Sequence, residues 1–250
     1  MESGRSTNLI EVRGLRVAYD GKEILHGIDA GIADGAFVSI VGKSGCGKST
    51  FLLALAGFVE SSGSIHIPNE IGMVFQNYAV YPWLTVRDNI GFGLRHLGVS
   101  ERDGTVRHYL EMVDLVEHAD KYPAQLSGGQ TQRVALARAL APNPKVVFMD
   151  EPFGALDTFT RSNMQEWLGE AWRREKKTIL FVTHSIEEAI FLSDRILLFG
   201  EGRICGDLPV RFARPRTAAT KFEPEFVELR KTILAILGPG TVASTATSGG

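Results

Sequence analysis

Cysteine is scarce in this chain: Cys46 and Cys205 are the only two in 250 residues. Two thiols, one of them inside a glycine-rich loop, build no disulfide framework, and the pattern suits a reducing compartment. Net charge is scarce too. With 27 basic and 29 acidic side chains the formal charge is −2, so no global basic field points to nucleic acid. No uninterrupted apolar run is long enough to cross a bilayer. If the protein serves a membrane, another chain is expected to do the spanning. Residues Met1 to Asn8 are polar and lack the apolar core of a signal peptide. There is no heptad run. An apolar fraction of 44% over 250 residues remains, enough for one folded unit with a large core.

The chain is organised around Gly42-Lys43-Ser44-Gly45-Cys46-Gly47-Lys48-Ser49-Thr50. It has a glycine, four residues, then Gly-Lys-Ser. Phe37 to Val41 before it read as a buried strand, and Phe51 to Gly57 after it as a helix stopped by glycine. Strand, glycine loop and helix are the setting a phosphate loop requires. Glycines let successive N–H groups converge on one anion, and the helix N-terminus adds partial positive charge. Lys48 is placed to reach outer phosphates and the Ser49 hydroxyl to join a Mg²⁺ shell. Cys46, beside Lys48 at a helix start, is expected to have a lowered thiol pKa.

Ahead of the loop, Leu9–Val12, Leu15–Tyr19 and Ile24–Ile32 read as short antiparallel strands broken at Gly14 and Asp20-Gly21. Gly63–Ile67 and Ile71–Phe75 read as two further strands, with Gln76 directly after the second. From about 85 to 140 the periodicity turns helical, as in an inserted subdomain. Ser100-x-x-Asp103 and Ser127-x-x-Gln130 both fit capping boxes. Asp157 is expected to cap a helix with Met164, Trp167, Leu168, Ala171 and Trp172 on one face. Val146–Met149 and Thr178–Thr183 are buried strands. Alternating strands and helices indicate an α/β fold with a mostly parallel core sheet and an N-terminal antiparallel β subdomain. Pro224 is placed to start a helix with Phe226, Leu229, Ile233 and Leu237 as its stripe, packed on its own domain. Residues 238–250 are small, polar and expected to be disordered.

Asp150 ends its strand where phosphate-loop enzymes hold Mg²⁺, and Glu151 is free to polarise a water for attack on a γ-phosphate. His184 and Gln76 also stand at strand ends, where α/β proteins place ligands; a core role for His184 is the alternative. Leu126-Ser127-Gly128-Gly129-Gln130 is a second anion-ready helix start in a chain that already has a phosphate site.

At that stretch the sequence resembles the ATP-binding cassette family, over about residues 9 to 210. The resemblance implies a RecA-like phosphate-loop ATPase core, a cassette domain over 9–210 with its helical subdomain at about 85–140, and a helical extension at 211–237. Tyr19 resembles the aromatic that stacks on adenine. Gly42 to Thr50 match the phosphate loop, while Ser49, Gln76 and Asp150 match the Mg²⁺ ligands. Glu151 matches the catalytic base, Gln76 the glutamine that senses metal and water, and His184 the switch histidine. Ser127, Gly128, Gly129 and Gln130 match the signature that contacts ATP bound to a second copy. Gly154-Ala155-Leu156-Asp157 resembles the loop crossing that interface.

Pro82-Trp83-Leu84-Thr85-Val86 and Arg214-Pro215-Arg216 are similar to importers of nitrate, sulfonates and taurine. Val80-Tyr81 and Thr131 depart from the usual family residues, and too few residues follow 210 for a sizeable regulatory domain. The implied protein is the ATPase of a bacterial importer, peripheral on the cytoplasmic face of the cell membrane. Its implied partners are a second copy, transmembrane permease subunits and, indirectly, a solute-binding protein. Tyr78, Tyr81 and Trp83 are expected either to form a permease groove or to pack on the helical subdomain. A soluble cassette acting on nucleic acid or ribosomes and an export cassette are the alternatives, with no nucleic acid expected for the first reading.

Overall fold

Strand β3 (Phe37–Gly42) is buried along its whole length, so it carries no polar face and must be covered on both sides. The computed structural model, which describes residues 8–154 and 156–238, places it among parallel neighbours. In chain order the elements are β1 (Asn8–Tyr19), β2 (Lys22–Ala33), β3, α1 (Lys48–Leu55), β4 (Ser62–His66), β5 (Ile71–Val74), α2 (Val86–Ile90), α3 (Val99–Met112) and α4 (Gly128–Leu140). There follow β6 (Val146–Asp150), α5 (Thr158–Glu175), β7 (Thr178–Thr183), α6 (Ile186–Leu192), β8 (Arg195–Gly200), β9 (Arg203–Pro209) and α7 (Pro224–Leu237). The architecture is α/β. The chain divides into two compact units, residues 1–67 with 165–250, and 68–164. Of the tail expected to be disordered, 238–250, residues 239–250 lie outside those described, as does Ala155.

In the first unit, β1 pairs antiparallel with β2 and β4. β3 pairs in parallel with β7, Phe37 opposite Ile179, and with β8, Val38 opposite Arg195. β9 closes antiparallel on β8. Phe51 on α1 meets Phe199 on β8 at 5.3 Å between ring centres, and Phe37 meets Phe181 and Trp172 at 5.9 Å. These rings anchor α1 on β8 and α5 on β3. α7 lies against α6 with Phe226 and Ile233 buried, so the apolar stripe packs on its own unit as expected.

The break expected at Gly14 does not occur. β1 runs through it with a register shift between Val12 and Leu15. Gly14 takes φ 60° and its N–H donates to the Asp29 carboxylate at 2.8 Å, so extra residues are absorbed as a bulge while pairing resumes.

In the second unit β5 and β6 pair in parallel, Ile71 opposite Val146. The helices expected between 85 and 140 are α2, α3 and α4. The Ser100 capping box does not form. α3 begins at Val99 after Gly98, which is extended at φ −62°, ψ 153°. Ser100 is already helical, and a cap must stand outside the helix it caps. Ser127, by contrast, caps α4 with a full box.

The β8–β9 turn is wedged. Glu201 and Gly202 take φ 47° and 71°, the double left-handed form favoured by two-residue hairpins. The Gly202 carbonyl accepts from His26 N–H at 3.0 Å, and its N–H donates to the Cys46 carbonyl at 3.1 Å. A Cβ there would stand 2.1 Å from the Ile24 carbonyl oxygen. Gly202→Ala should therefore lower unfolding free energy by about 2–5 kcal/mol, combining left-handed strain with overpacking. Gly21 has φ 79° and nothing within 4 Å of its Cβ position, so Gly21→Ala should cost about 1–2 kcal/mol. Urea unfolding of both variants reads the difference; equal losses would refute the wedge.

Candidate nucleotide site

The glycine loop leaves β3 at Gly42 and enters α1 at Lys48. Gly47 caps that helix at φ 102° without a side-chain acceptor, and no acidic residue lies in the first turn. The helix N–H groups therefore face the loop mouth with no internal anion. Lys48 is 5% exposed, and its ammonium donates to the carbonyls of Gly42 and Lys43 at 2.9 and 3.0 Å. The loop is thus tied back on its own lysine.

Space is absent where side chains would go. A Cβ on Gly42 would lie 2.3 Å from the Phe199 carbonyl oxygen and 2.7 Å from Cys46 Sγ. One on Gly47 would lie 2.8 Å from Leu25 Cδ2. Such a cradle, lined by backbone donors and closed to Cβ atoms, fits a chain of phosphates.

Cys46 corrects an expectation. Burial pushes its thiol up, against the smaller opposing pull of Lys48. Desolvation outweighs the neighbouring charge. In the same unit Tyr19, at the end of β1, is 43% exposed, as a stacking surface must be. His184 follows β7 directly and is exposed, which removes its reading as a core histidine.

The other sequence-predicted residues belong to the second unit. Asp150 ends β6 and is 8% exposed. Glu151 takes φ 45°, a left-handed backbone uncommon for a residue with a Cβ. Gln76 Nε2 approaches Glu151 Oε2 at 3.5 Å, so the amide and the carboxylate share one corner.

Ser127 Oγ accepts from Gln130 N–H at 3.3 Å, and Gln130 Oε1 accepts from Ser127 N–H at 2.9 Å. Gln130 Nε2 also meets His118 Nε2 at 3.0 Å. Asp157 Oδ1 accepts from the N–H groups of Phe159 and Thr160 at 3.1 and 3.0 Å. The backbone bond from Thr160 leads in holding its carboxyl below the usual range. A cavity of about 830 Å³ opens among Ser127, Gly128, Gly129, Gln130, Asp157 and Thr160. A Cβ on Gly129 would meet Thr160 at 3.0 Å, whereas one on Gly128 would meet nothing within 4 Å.

Two residues that sequence reasoning missed build the loop after Gln76. Asn89, fully buried, donates to the carbonyls of Tyr81, Leu84 and Thr85 and accepts from Tyr81 N–H at 2.8 Å. Arg138 donates to Ala79 and Tyr78 carbonyls and lies 5.1 Å from the Tyr81 ring centre. Of the three loop aromatics, Trp83 is 69% exposed while Tyr78 is buried at 9%. Tyr78 therefore packs inside, on a left-handed backbone at φ 61°.

A buried strand, a cradle of backbone donors and a tethered lysine define a phosphate-loop nucleotide-binding protein. Comparison with known proteins narrows the class. Residues 25–154 match the family model described as ABC transporter. A putative ATP-binding protein of Brucella abortus is 42% identical over 237 residues, 90% of this chain and 91% of its own length. An aliphatic sulfonates import ATP-binding protein of Rhizobium johnstonii is 42% identical, covering 96% of each chain. An ATP-binding cassette solved as a dimer in a post-hydrolysis state with ADP and Pi aligns with TM-score 0.74 at 31% identity, over 82% of this chain and all of that one. The chain belongs to the ABC transporter family. It is an ATP-binding cassette ATPase.

Lys48→Met should weaken ATP binding about 10–100-fold, the worth of charge-assisted bonds to phosphate, as read by titration calorimetry; unchanged affinity would contradict the cradle. In a Cys205→Ser chain, Cys46 should react with iodoacetamide more slowly at pH 7.5 than a free cysteine. Its rate should keep climbing past pH 9, because a raised thiol pKa delays the thiolate, and ATP should protect it. A rate that levels off near neutrality would restore the lowered pKa.

Proposed function

We propose that this chain is the ATPase subunit of a bacterial importer for small sulfonate-like solutes and works as a two-fold pair of copies. The observation that carries the solute class is the likeness to aliphatic sulfonates import ATP-binding proteins, 40–42% identical over nearly the whole chain. Among the described residues no helix is long and apolar enough to cross a membrane, so a separate permease is the partner this reading requires. It would bind the chain at the cytoplasmic face and meet Trp83, the exposed member of the loop braced by Asn89 and Arg138. A solute-binding protein would act through that permease.

The residues take these roles. Tyr19 stacks on adenine, and Gly42 to Thr50 wrap the phosphates with Lys48 on the outer ones. Ser49, Asp150 and Gln76 would hold Mg²⁺, which supplies charge neutralisation at the phosphate oxygens. Glu151 takes a proton from water as the water oxygen bonds to the γ-phosphorus, and the bond from that phosphorus to the ADP oxygen breaks. His184 contacts the γ-phosphate. Gly128 supports a pocket shared between copies. Nothing in its own unit requires a glycine there, yet it sits at a bare helix start beside Ser127 and Gln130. A surface kept free of side chains suits phosphates brought by a partner. Pairing one copy's phosphate loop with the other's Ser127–Gln130 and Asp157 is self-complementary and closes as a dimer.

Glu151→Gln should slow phosphate release about 10²–10⁴-fold, the usual worth of a general base. It should also dimerise on adding ATP in light scattering, because a negative charge near each γ-phosphate is gone. Normal phosphate release would remove Glu151 from this role. Deleting the gene should abolish growth on an alkanesulfonate as sole sulfur source and spare growth on sulfate. Growth on both, with retention of the purified chain on nucleic acid, would favour a soluble cassette.

A further inference from the structure

The turn that carries His184 ends a buried polar chain, and that chain begins in the segment after β9. Thr183 is 2% exposed. Its hydroxyl donates to Glu188 Oε2 at 2.6 Å and accepts from Ser185 N–H at 3.0 Å. The second bond spans His184 from one side to the other. Glu188, 7% exposed, donates its N–H to Ser185 Oγ at 3.3 Å. Its Oε1 accepts from Gln165 Nε2 at 3.2 Å. Gln165 is 3% exposed, and its Oε1 accepts from Lys221 Nζ at 3.3 Å.

The same C-terminal segment holds the other end of α6. Arg216 donates to the carbonyls of Ile190, Phe191 and Ser193 at 2.8, 3.1 and 2.7 Å, and Arg214 donates to the Leu192 carbonyl and the Asp194 carboxylate. Cations at the last carbonyls suit both the orphan acceptors and the helix dipole.

A helix of seven residues needs one N-cap, and Ser185 supplies it. The further bonds through a buried carboxylate do something else. Burying Glu188 is unfavourable unless each oxygen is satisfied, so the donors Thr183 and Gln165 are held in place as firmly as Glu188 itself. The result fixes the peptide on each side of His184 while its ring stays exposed. We infer that Thr183, Glu188 and Gln165 are positioning residues for His184, and that Lys221 ties the segment after β9 to that turn. This rests on the reading of His184 as a γ-phosphate contact.

The test is steady-state ATP hydrolysis by the full chain. Thr183→Val removes the hydroxyl at constant shape. It should lower kcat about 10-fold, the scale of a displaced catalytic contact, with KM for ATP nearly unchanged and the melting temperature lowered by only about 2–10 °C, because Glu188 Oε2 loses its donor. Thr183→Ser should restore kcat. Lys221→Met should lower kcat about 3-fold alone and add nothing to Thr183→Val, because residues of one network are not additive. Unchanged kcat in Thr183→Val, failure of Thr183→Ser to rescue, or fully multiplicative effects of the two substitutions would overturn the inference. His184→Ala separates the layers. If it hydrolyses ATP normally, the reading of His184 falls and this inference with it; if it is inactive while Thr183→Val is normal, the network alone is wrong.

Discussion

Phosphates carry dense negative charge, and this chain meets it with backbone N–H groups. That choice constrains much of the first unit. Backbone donors can converge only where no Cβ intrudes, so Gly42 and Gly47 sit where 2.3 and 2.8 Å would separate a side chain from its neighbours. A loop of glycines is floppy unless it is tied. Lys48 ties it from inside through two carbonyls. Gly202 braces it from outside through Cys46, and the helix that follows it is held on β8 by aromatic packing between Phe51 and Phe199. The hairpin β8–β9, distant in sequence, is part of the nucleotide site by this route.

The second unit presents a different feature, a capped helix start that keeps bare glycine backbone at Gly128. The capping box uses the Ser127 hydroxyl and the Gln130 amide, so these side chains fix the turn. Gly128 then presents bare backbone beside a large cavity. On the proposed reading this surface serves a partner copy, since the chain has a phosphate loop of its own. The proposed sharing of the site between two copies would account for both features with one geometry and would make hydrolysis depend on assembly.

What was legible in the sequence was local. The phosphate loop, the Ser127 box, the Asp157 cap and the Pro224 helix each depend on residues a few positions apart, and each formed. The Ser100 box failed because the cap position falls at Gly98, two residues earlier, which leaves Ser100 inside α3. The reactivity expected of Cys46 failed because desolvation is a property of packing, which adjacent letters do not encode. Asn89 was hidden because its four bonds are made by backbone groups of a loop whose shape it determines. Gln165 was hidden too: it lies next to the apolar face of α5, and its partners, Glu188 and Lys221, are 23 and 56 positions away.

The central claim is that one catalytic pocket is assembled from two copies, and mixing two disabled chains tests it most directly. Lys48→Ala spoils the phosphate loop and leaves the helix start at Gly128 intact; Gly128→Val does the reverse. In a mixed pair, one pocket receives both defects and the other receives neither. Sharing predicts that the mixture hydrolyses ATP well above either variant alone, in proportion to the mixed pairs formed. A mixture that stays as inactive as its separate components, with mixed pairs demonstrated by cross-linking, would contradict it.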